Sequence, residues 1–496
     1  LCLTNVHEVL TKDLARSFQI HLGVRVNGQP LTIRQVRYLL EAIENKLAYT
    51  HGRAPDLSEA DRAERQAALQ NIMDKLLAAT VPAHLPHHGR YALDASAIES
   101  AARGKRRPAS TTTAAADGEV TDEEIAARVE ESGCSHDPDA RWGYRTKTFD
   151  NRTSSCFGYQ LLAFTRIQPV GWMRPEPLLT ERIALIPANA SVIEPSLAIL
   201  DRLSSENRAV IELACDRGFS YAVPQRWADQ LRERGTEQVL DLHPNDYGVR
   251  DFEGVKMIAG TPHCPAMPDE LDDIRRPAQL SVGPLKKNAT AKEKVEHAEK
   301  LAALADFNAR IAERETYAFR RVAGPDPSGK ERYECPARAG KLRCEHCPLS
   351  QLLPEEVPDV TDAPAAETAP KACSQRTITV PGNVTPKVRQ RLRWGSPEWI
   401  TSFKRRTLVE GAFGNLKNPR TENIRRGWTS VVGIVKTSLM IVIAQAAANL
   451  RLLRSWAQRT GDLTDPLTRP DPDDHGFEEL DPATGGVGST SPPLAA

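Results

Sequence analysis

The sequence has little of what marks several protein classes. No apolar run reaches the roughly 18–20 residues that a membrane span needs. The nearest, Leu439 to Leu450, contains Gln445 and Asn449 and reads as a core helix. The N-terminus lacks the basic-then-apolar pattern of a secretory signal, so a soluble, cytoplasmic protein is expected. The chain begins with Leu1 instead of Met, as a fragment would. Nine cysteines in 496 residues are too few for a disulfide scaffold. No G-x-x-x-x-G-K-[ST] loop occurs, so ATP use is not expected. Net charge is also missing: 65 Lys and Arg balance 65 Asp and Glu. Taken alone, that balance argues against nucleic acid, whose partners usually carry a basic excess.

What is present is ordinary globular material, 40% hydrophobic and 26% charged, long enough for two to four domains of roughly 100–200 residues. Residues 1–85 read as a small helical domain. Val36, Leu39, Leu40, Ile43 and Leu47 recur at helical spacing over 33–48, and a second helix over 57–79 opens with Ser58 and Glu59. A short strand over 90–98 should end near Asp94. Residues 101–133 lose hydrophobic periodicity and read as a mobile loop. From 156 to 265 strand and helix patterns alternate: strands at 157–167, 182–188, 208–215 and 237–242, helices at 196–205 and 223–235. That order predicts an α/β sheet covered by helices. Residues 266–385 form an insertion with one helix over 288–316, a cysteine cluster and a linker at 354–371. Helical periodicity returns over 399–458, in a C-terminal part at 386–460. An acidic tail, 461–496, reads as disordered.

Resolved along the chain, the neutral charge is a sum of opposites. Residues 381–460 carry fifteen Lys or Arg against three acids, a net +12, whereas 461–496 carry eight acids and one Arg, a net −7. A segment of +12 can neutralise several phosphates and release their counterions. The bland alternative is a set of solvated helix faces.

Three acids have settings suited to chemistry. Asp94 ends a predicted strand, Asp216 follows an apolar strand and precedes Gly218, and Glu410 lies in a predicted helix, FKRRTLVEGAFGNLK. Acids at strand ends lie at the sheet edge, where α/β sites form. Three carboxylates can hold two divalent ions about 4 Å apart, for phosphoryl transfer, and all-oxygen ligation suits Mg²⁺ or Mn²⁺. At roughly 100° per residue, Phe403, Arg406, Glu410 and Lys417 would share one helix face, placing two cations beside the acid to grip phosphate. Asp137 and Asp139 compete with Asp94 for the first position.

These residues resemble a known family. Phe403-x2-Arg406-x3-Glu410-x6-Lys417 is similar to the Tyr-x2-Arg-x3-Glu-x6-Lys signature of bacterial insertion-sequence transposases of the DDE superfamily. Asp216-Arg217-Gly218-Phe219 resembles their Asp-x-Gly-Tyr/Phe motif, and Asp94-Ala95-Ser96 their Asp-Gly-Thr motif. The stretch from His136 to Arg141 and Phe157-Gly158-Tyr159 are also typical of such proteins. The likeness covers about residues 85–455, with Phe403 in place of the signature Tyr and Ala95-Ser96 in place of Gly-Thr. It implies a ribonuclease H-like core in which Asp94, Asp216 and Glu410 bind two Mg²⁺ ions. The implied reaction is DNA transposition: hydrolytic nicking at the terminal inverted repeats, then strand transfer into target DNA. Arg406 and Lys417 would contact end DNA, with Lys404, Arg405, Arg425 and Arg426 in the same basic region, and two ends held together imply a homodimer on DNA in the bacterial nucleoid. The alternatives are another two-metal nuclease on the same fold and a non-catalytic DNA-binding protein, either a decayed transposase or a regulator.

Two further groups stand apart. Cys335, Cys344, Cys347 and Cys373 could supply four thiolates to structural Zn²⁺, with His346 as a substitute ligand; unligated reduced thiols are the alternative. Trp394, Trp399 and Trp428 lie in the basic segment. They could stack on an unpaired base or pack the core, and Trp394 is the candidate DNA contact. His84, His87 and His88 lack acidic partners at ligand spacing and read as surface residues.

Overall fold

The computed structural model describes residue 7 and residues 25–104, 135–146, 153–326, 328–360, 363–365, 367–425, 427–462, 464, 479–480 and 487–488. Most of the loop expected at 101–133 and of the tail expected at 461–496 therefore lies outside the described residues.

A short antiparallel strand pair, Arg25–Val26 with Gln29–Pro30, precedes two helices, α1 (Ile33–Leu47) and α2 (Glu59–Ala78), which lie close to the predicted spans. Side chains fix where each begins. Thr32 and Gln35 form a capping box on α1, and the Ser58 hydroxyl accepts the Asp61 N–H at 3.2 Å on α2. Then β1 (Arg90–Glu99), β2 (Arg141–Thr146), β3 (Thr153–Arg166), β4 (Thr180–Pro187), β5 (Glu212–Cys215) and β6 (Glu237–Val239) build one mixed six-stranded sheet. β1 pairs antiparallel with β3 from Tyr91–Arg166 to Glu99–Gly158. On its other edge β1 pairs parallel with β5, but only from Arg90–Glu212 to Leu93–Cys215, and β5 pairs parallel with β6. β2 and β4 lie end to end along the far edge of β3.

Strand alternation sorts the core into two layers. Tyr91, Leu93, Leu213 and Cys215 face α3 (Ile193–Ser205) and α4 (Ala228–Glu233), where Ile199, Leu203 and Leu231 are buried. Ala92, Ala163 and Ala214 face the opposite side, against Met73 and Leu77 of α2 and the C-terminal helices. The α/β sheet with helices on both faces is as predicted.

Between β6 and the C-terminal helices, the strand content exceeds expectation. β7 (Arg250–Phe252), β8 (Val255–Ile258) and β9 (Thr261–His263) make an antiparallel meander. After the long helix α5 (Ala291–Tyr317), β10 (Arg320–Ala323), β11 (Glu331–Glu334) and β12 (Thr377–Val380) make a second three-stranded sheet. Strands of three or four residues show too few alternations to stand out in sequence.

The C-terminal helical region is divided into α6 (Pro397–Lys404), α7 (Thr407–Lys417) and α8 (Ile434–Thr460). α8 is long and apolar enough to cross a membrane by length and composition. It packs against α1, α2 and β4 and buries Ile441, Val442, Ala448 and Trp456, so it serves as a core helix here.

Candidate active site

Asp94 does not end its strand, as the sequence suggested. β1 continues five residues further, held by β3, while β5 stops at Cys215. The residue after each member of the register pair Leu93–Cys215 is Asp94 or Asp216, so the two acids come side by side where β1 loses its parallel neighbour. Alternation puts both on the face of Ala92 and Ala214, the face covered by α7 through Val409, Phe413 and Leu416.

α7 brings the third acid. Glu410 lies in its first turn, about half exposed, and its Oε1 is 2.8 Å from Nη1 of Arg406. The continuous helical face predicted from Phe403 to Lys417 is interrupted, because Arg405 and Arg406 form a turn between α6 and α7. Phe403 is thereby a core residue, stacked on Trp399 with ring centroids 4.7 Å apart, and the Arg406 guanidinium lies over its outer face at 5.6 Å.

The electrostatics tie the four residues together. Burial pushes the Asp94 carboxyl up to about 6; Asp216 and Glu410 push the same way, while the Ala95 N–H and Arg406 oppose them. Burial disfavours the Arg406 charge, but Asp216, Glu410 and Asp94 outweigh it and hold the guanidinium protonated. The donor set is all carboxylate oxygen, which fits Mg²⁺ or Mn²⁺. Among the described residues no three Asp, Glu, His or Cys side chains stand at ion-ligand spacing.

The other candidates have varied settings. The Lys417 ammonium donates to the Ser96 hydroxyl at 2.7 Å and the Ala97 carbonyl at 2.9 Å, so it fastens α7 to β1. Arg405 is bound to buried Glu212, the first residue of β5, and donates to the Gln168 carbonyl. Lys404 is exposed. Arg425 is exposed as well and donates to the Lys417 carbonyl at 3.0 Å. Arg426 lies outside the described residues. Trp394 is 3% exposed, and its indole N–H donates to Asp241 at 3.1 Å. That burial removes it from base contact, a correction to its expected role. Trp399 and Trp428 are buried too.

Asp137 and Asp139 belong to the fold. Asp139 accepts the Ile434 N–H at 2.9 Å and Asp137 the Gly433 N–H at 3.2 Å, so both cap α8, and Tyr159 and Ser100 donate their hydroxyls to Asp137. His88 is largely buried and bonded to Glu176 at 2.9 Å, contrary to the expected free surface histidine. His84 and His87 are exposed. The four predicted cysteines line one cavity with His346 and with Cys264, a fifth cysteine that spacing did not reveal.

Comparison of the chain with family models, with curated proteins and with solved structures finds no match to any of them.

Proposed function

We propose that the protein is a DDE-type DNA transposase that nicks the ends of a mobile element and joins them to target DNA. The observation that carries this reading is the meeting of Asp94, Asp216 and Glu410 around Arg406, at the edge where β5 ends and β1 continues. The mixed sheet, with three parallel strands and an antiparallel β3, is compatible with the ribonuclease H-like core that the sequence resemblance implies.

Asp94, Asp216 and Glu410 would hold Mg²⁺ or Mn²⁺. Bound there, the ions would activate a water or 3′-hydroxyl and stabilise the leaving oxygen in phosphoryl transfer. Arg406 would serve as the phosphate-facing cation: the carboxylates keep it charged, and its guanidinium can present two N–H donors to one phosphate. Lys417 would act through position, holding α7 and hence Glu410 on β1. Exposed Lys404 and Arg425 would contact the DNA backbone. A transposase must hold two ends at once, so the working form would be a homodimer on DNA.

The test is Mg²⁺-dependent strand nicking on DNA that spans both flanks of the native reading frame. The parent should nick, while Asp216→Ala and Glu410→Gln should lose at least a hundredfold in rate with DNA binding retained. Equal nicking by parent and variants would overturn the assignment. A parent that binds but never nicks would favour the non-catalytic DNA-binding alternative.

A further inference from the structure

The cysteine-lined cavity lies outside the carboxylate site, and its chemistry does not depend on whether the chain cuts DNA. Five thiols and one imidazole border it: Cys264, Cys335, Cys344, Cys347, Cys373 and His346. They arrive from separate parts of the chain. Cys264 directly follows β9, Cys335 directly follows β11, Cys344 and Cys347 lie in the next loop, and Cys373 sits in a one-turn helix, Lys371–Ser374, just before β12. The cavity volume is about 20 Å³, room for a single water-sized guest. Its other walls include Phe319, Leu342 and Val360. A water there would find few of the two to four polar partners it requires, whereas a soft cation would find sulfur on several sides.

We infer that Cys264, Cys335, Cys344 and Cys373 are the thiolate ligands of one tetrahedral Zn²⁺ centre that fastens the β7–β9 meander to the β10–β12 sheet.

Local backbone geometry prepares these sulfurs for negative charge. The Ala266 N–H donates to the sulfur of Cys264, the Ala337 and Arg338 N–H groups to that of Cys335, and the His346 N–H to that of Cys344. An N–H donor favours thiolate over thiol. The tripeptide Cys-Pro-Ala occurs at both 264–266 and 335–337. In each, Pro fixes φ one residue on, and the second N–H turns back to the sulfur. This repeat is the sequence signal that pairs Cys264 with the later cluster, despite the long interval between them.

Four of the five come from separate places in the chain: Cys264 follows β9, Cys335 follows β11, Cys373 precedes β12, and Cys344 lies in the loop after Cys335, where Cys347 follows it only three residues on. One ligand from each place gives the four that a tetrahedral ion takes. Burial holds the cation-free thiols protonated, pushing Cys264 up to about 12 and Cys373 to about 11. Uptake of the ion therefore releases a proton for each thiol that ligates and forms four Zn–S bonds with no change of oxidation state. The sulfurs border the cavity without converging on one point, so closing them on the ion takes side-chain rotation. Four thiolates in tetrahedral array select zinc over the hard cations that carboxylates hold.

The test is metal content of the purified full chain by mass spectrometry, with alkylation mapping. One zinc per chain is expected. Cys264→Ser and Cys335→Ser should each cut retained zinc at least tenfold after dialysis, and Cys347→Ser should retain it. If Cys264→Ser does not fold, the parent still decides the matter. Chelation should then expose Cys264, Cys335, Cys344 and Cys373 to alkylation together. Iron in place of zinc, full zinc in the folded Cys264→Ser variant, or a Cys264 whose alkylation ignores the chelator would each overturn the assignment.

Discussion

At Asp94, folding works against ionisation. Burial, with the adjacent Asp216 and Glu410 charges, lifts its carboxyl from the usual 3.8 to about 6. Between those values the folded chain holds more protons than the unfolded chain. This residue's contribution to stability is therefore complete below the unfolded value and is lost as pH rises through about 6. In cation-free protein, Asp94→Asn should stabilise the fold at about pH 7.5, by on the order of 1–2 kcal/mol. Near pH 4, close to the unfolded value, most of that gain should vanish. Thermal melts at the two pH values would check it, and equal gains at both would contradict the electrostatic account. Added Mg²⁺ should raise the melting temperature of the parent more than that of the variant, because only the parent keeps the full set of carboxylates. Arg406 shows the same balance from the cationic side, where three acids outweigh its burial.

Among the elements, α8 depends most plainly on side chains from elsewhere in the chain. Its first N–H groups are satisfied by Asp137 and Asp139, which reach it from the segment before β2. Asp139→Ala should cost about 1–2 kcal/mol, as loss of an N-terminal cap does, read from the denaturation midpoint. Nicking per folded molecule should be unchanged; if it fell with stability intact, Asp139 would be a ligand after all. The longer periodic helices were legible in the sequence to within a few residues, because each shows its apolar stripe over several turns. Asp94, Asp216 and Glu410 stood out in sequence by motif spacing, and the fold brings them together around Arg406. The α6–α7 break was not, since Arg405 and Arg406 are good helix formers and only their separate partners, Glu212 and Glu410, show why the chain turns there. Trp394 misled because a basic neighbourhood in sequence says nothing about burial. Its neighbours Tyr247 and Phe307 come from distant segments. The continuation of β1 past Asp94 was hidden as well, because Ala95 to Ala97 are small or polar on both faces.

Across the whole molecule, the basic segment is partly consumed by folding. Of its fifteen Lys and Arg, at least seven form ion pairs: Arg389, Arg391, Arg393, Arg405, Arg406, Lys436 and Arg451. Most of their partners, such as Glu212, Glu315, Glu331 and Glu44, come from outside the segment. The count of +12 therefore overstates the field offered to DNA. The acidic end of the chain should lower it further, so removal of residues 465–496 should leave DNA affinity equal or tighter at low salt, by fluorescence anisotropy. A marked loss would count against this electrostatic role. This deletion spares Asp462, whose carboxylate is 2.6 Å from Arg174. The turn between α6 and α7 has a last consequence at this scale. Arg405 grips Glu212 at the start of β5, and Arg406 answers to Asp216 just past its end. Two successive guanidiniums thus straddle a strand of about 13 Å, like the jaws of a caliper closed on a gauge block. The jaws, with Lys417 on β1, fix α7 on the sheet by contacts of its own, so a change of length in the exposed part of the chain between β6 and α6 should leave the spacing of the acids unchanged.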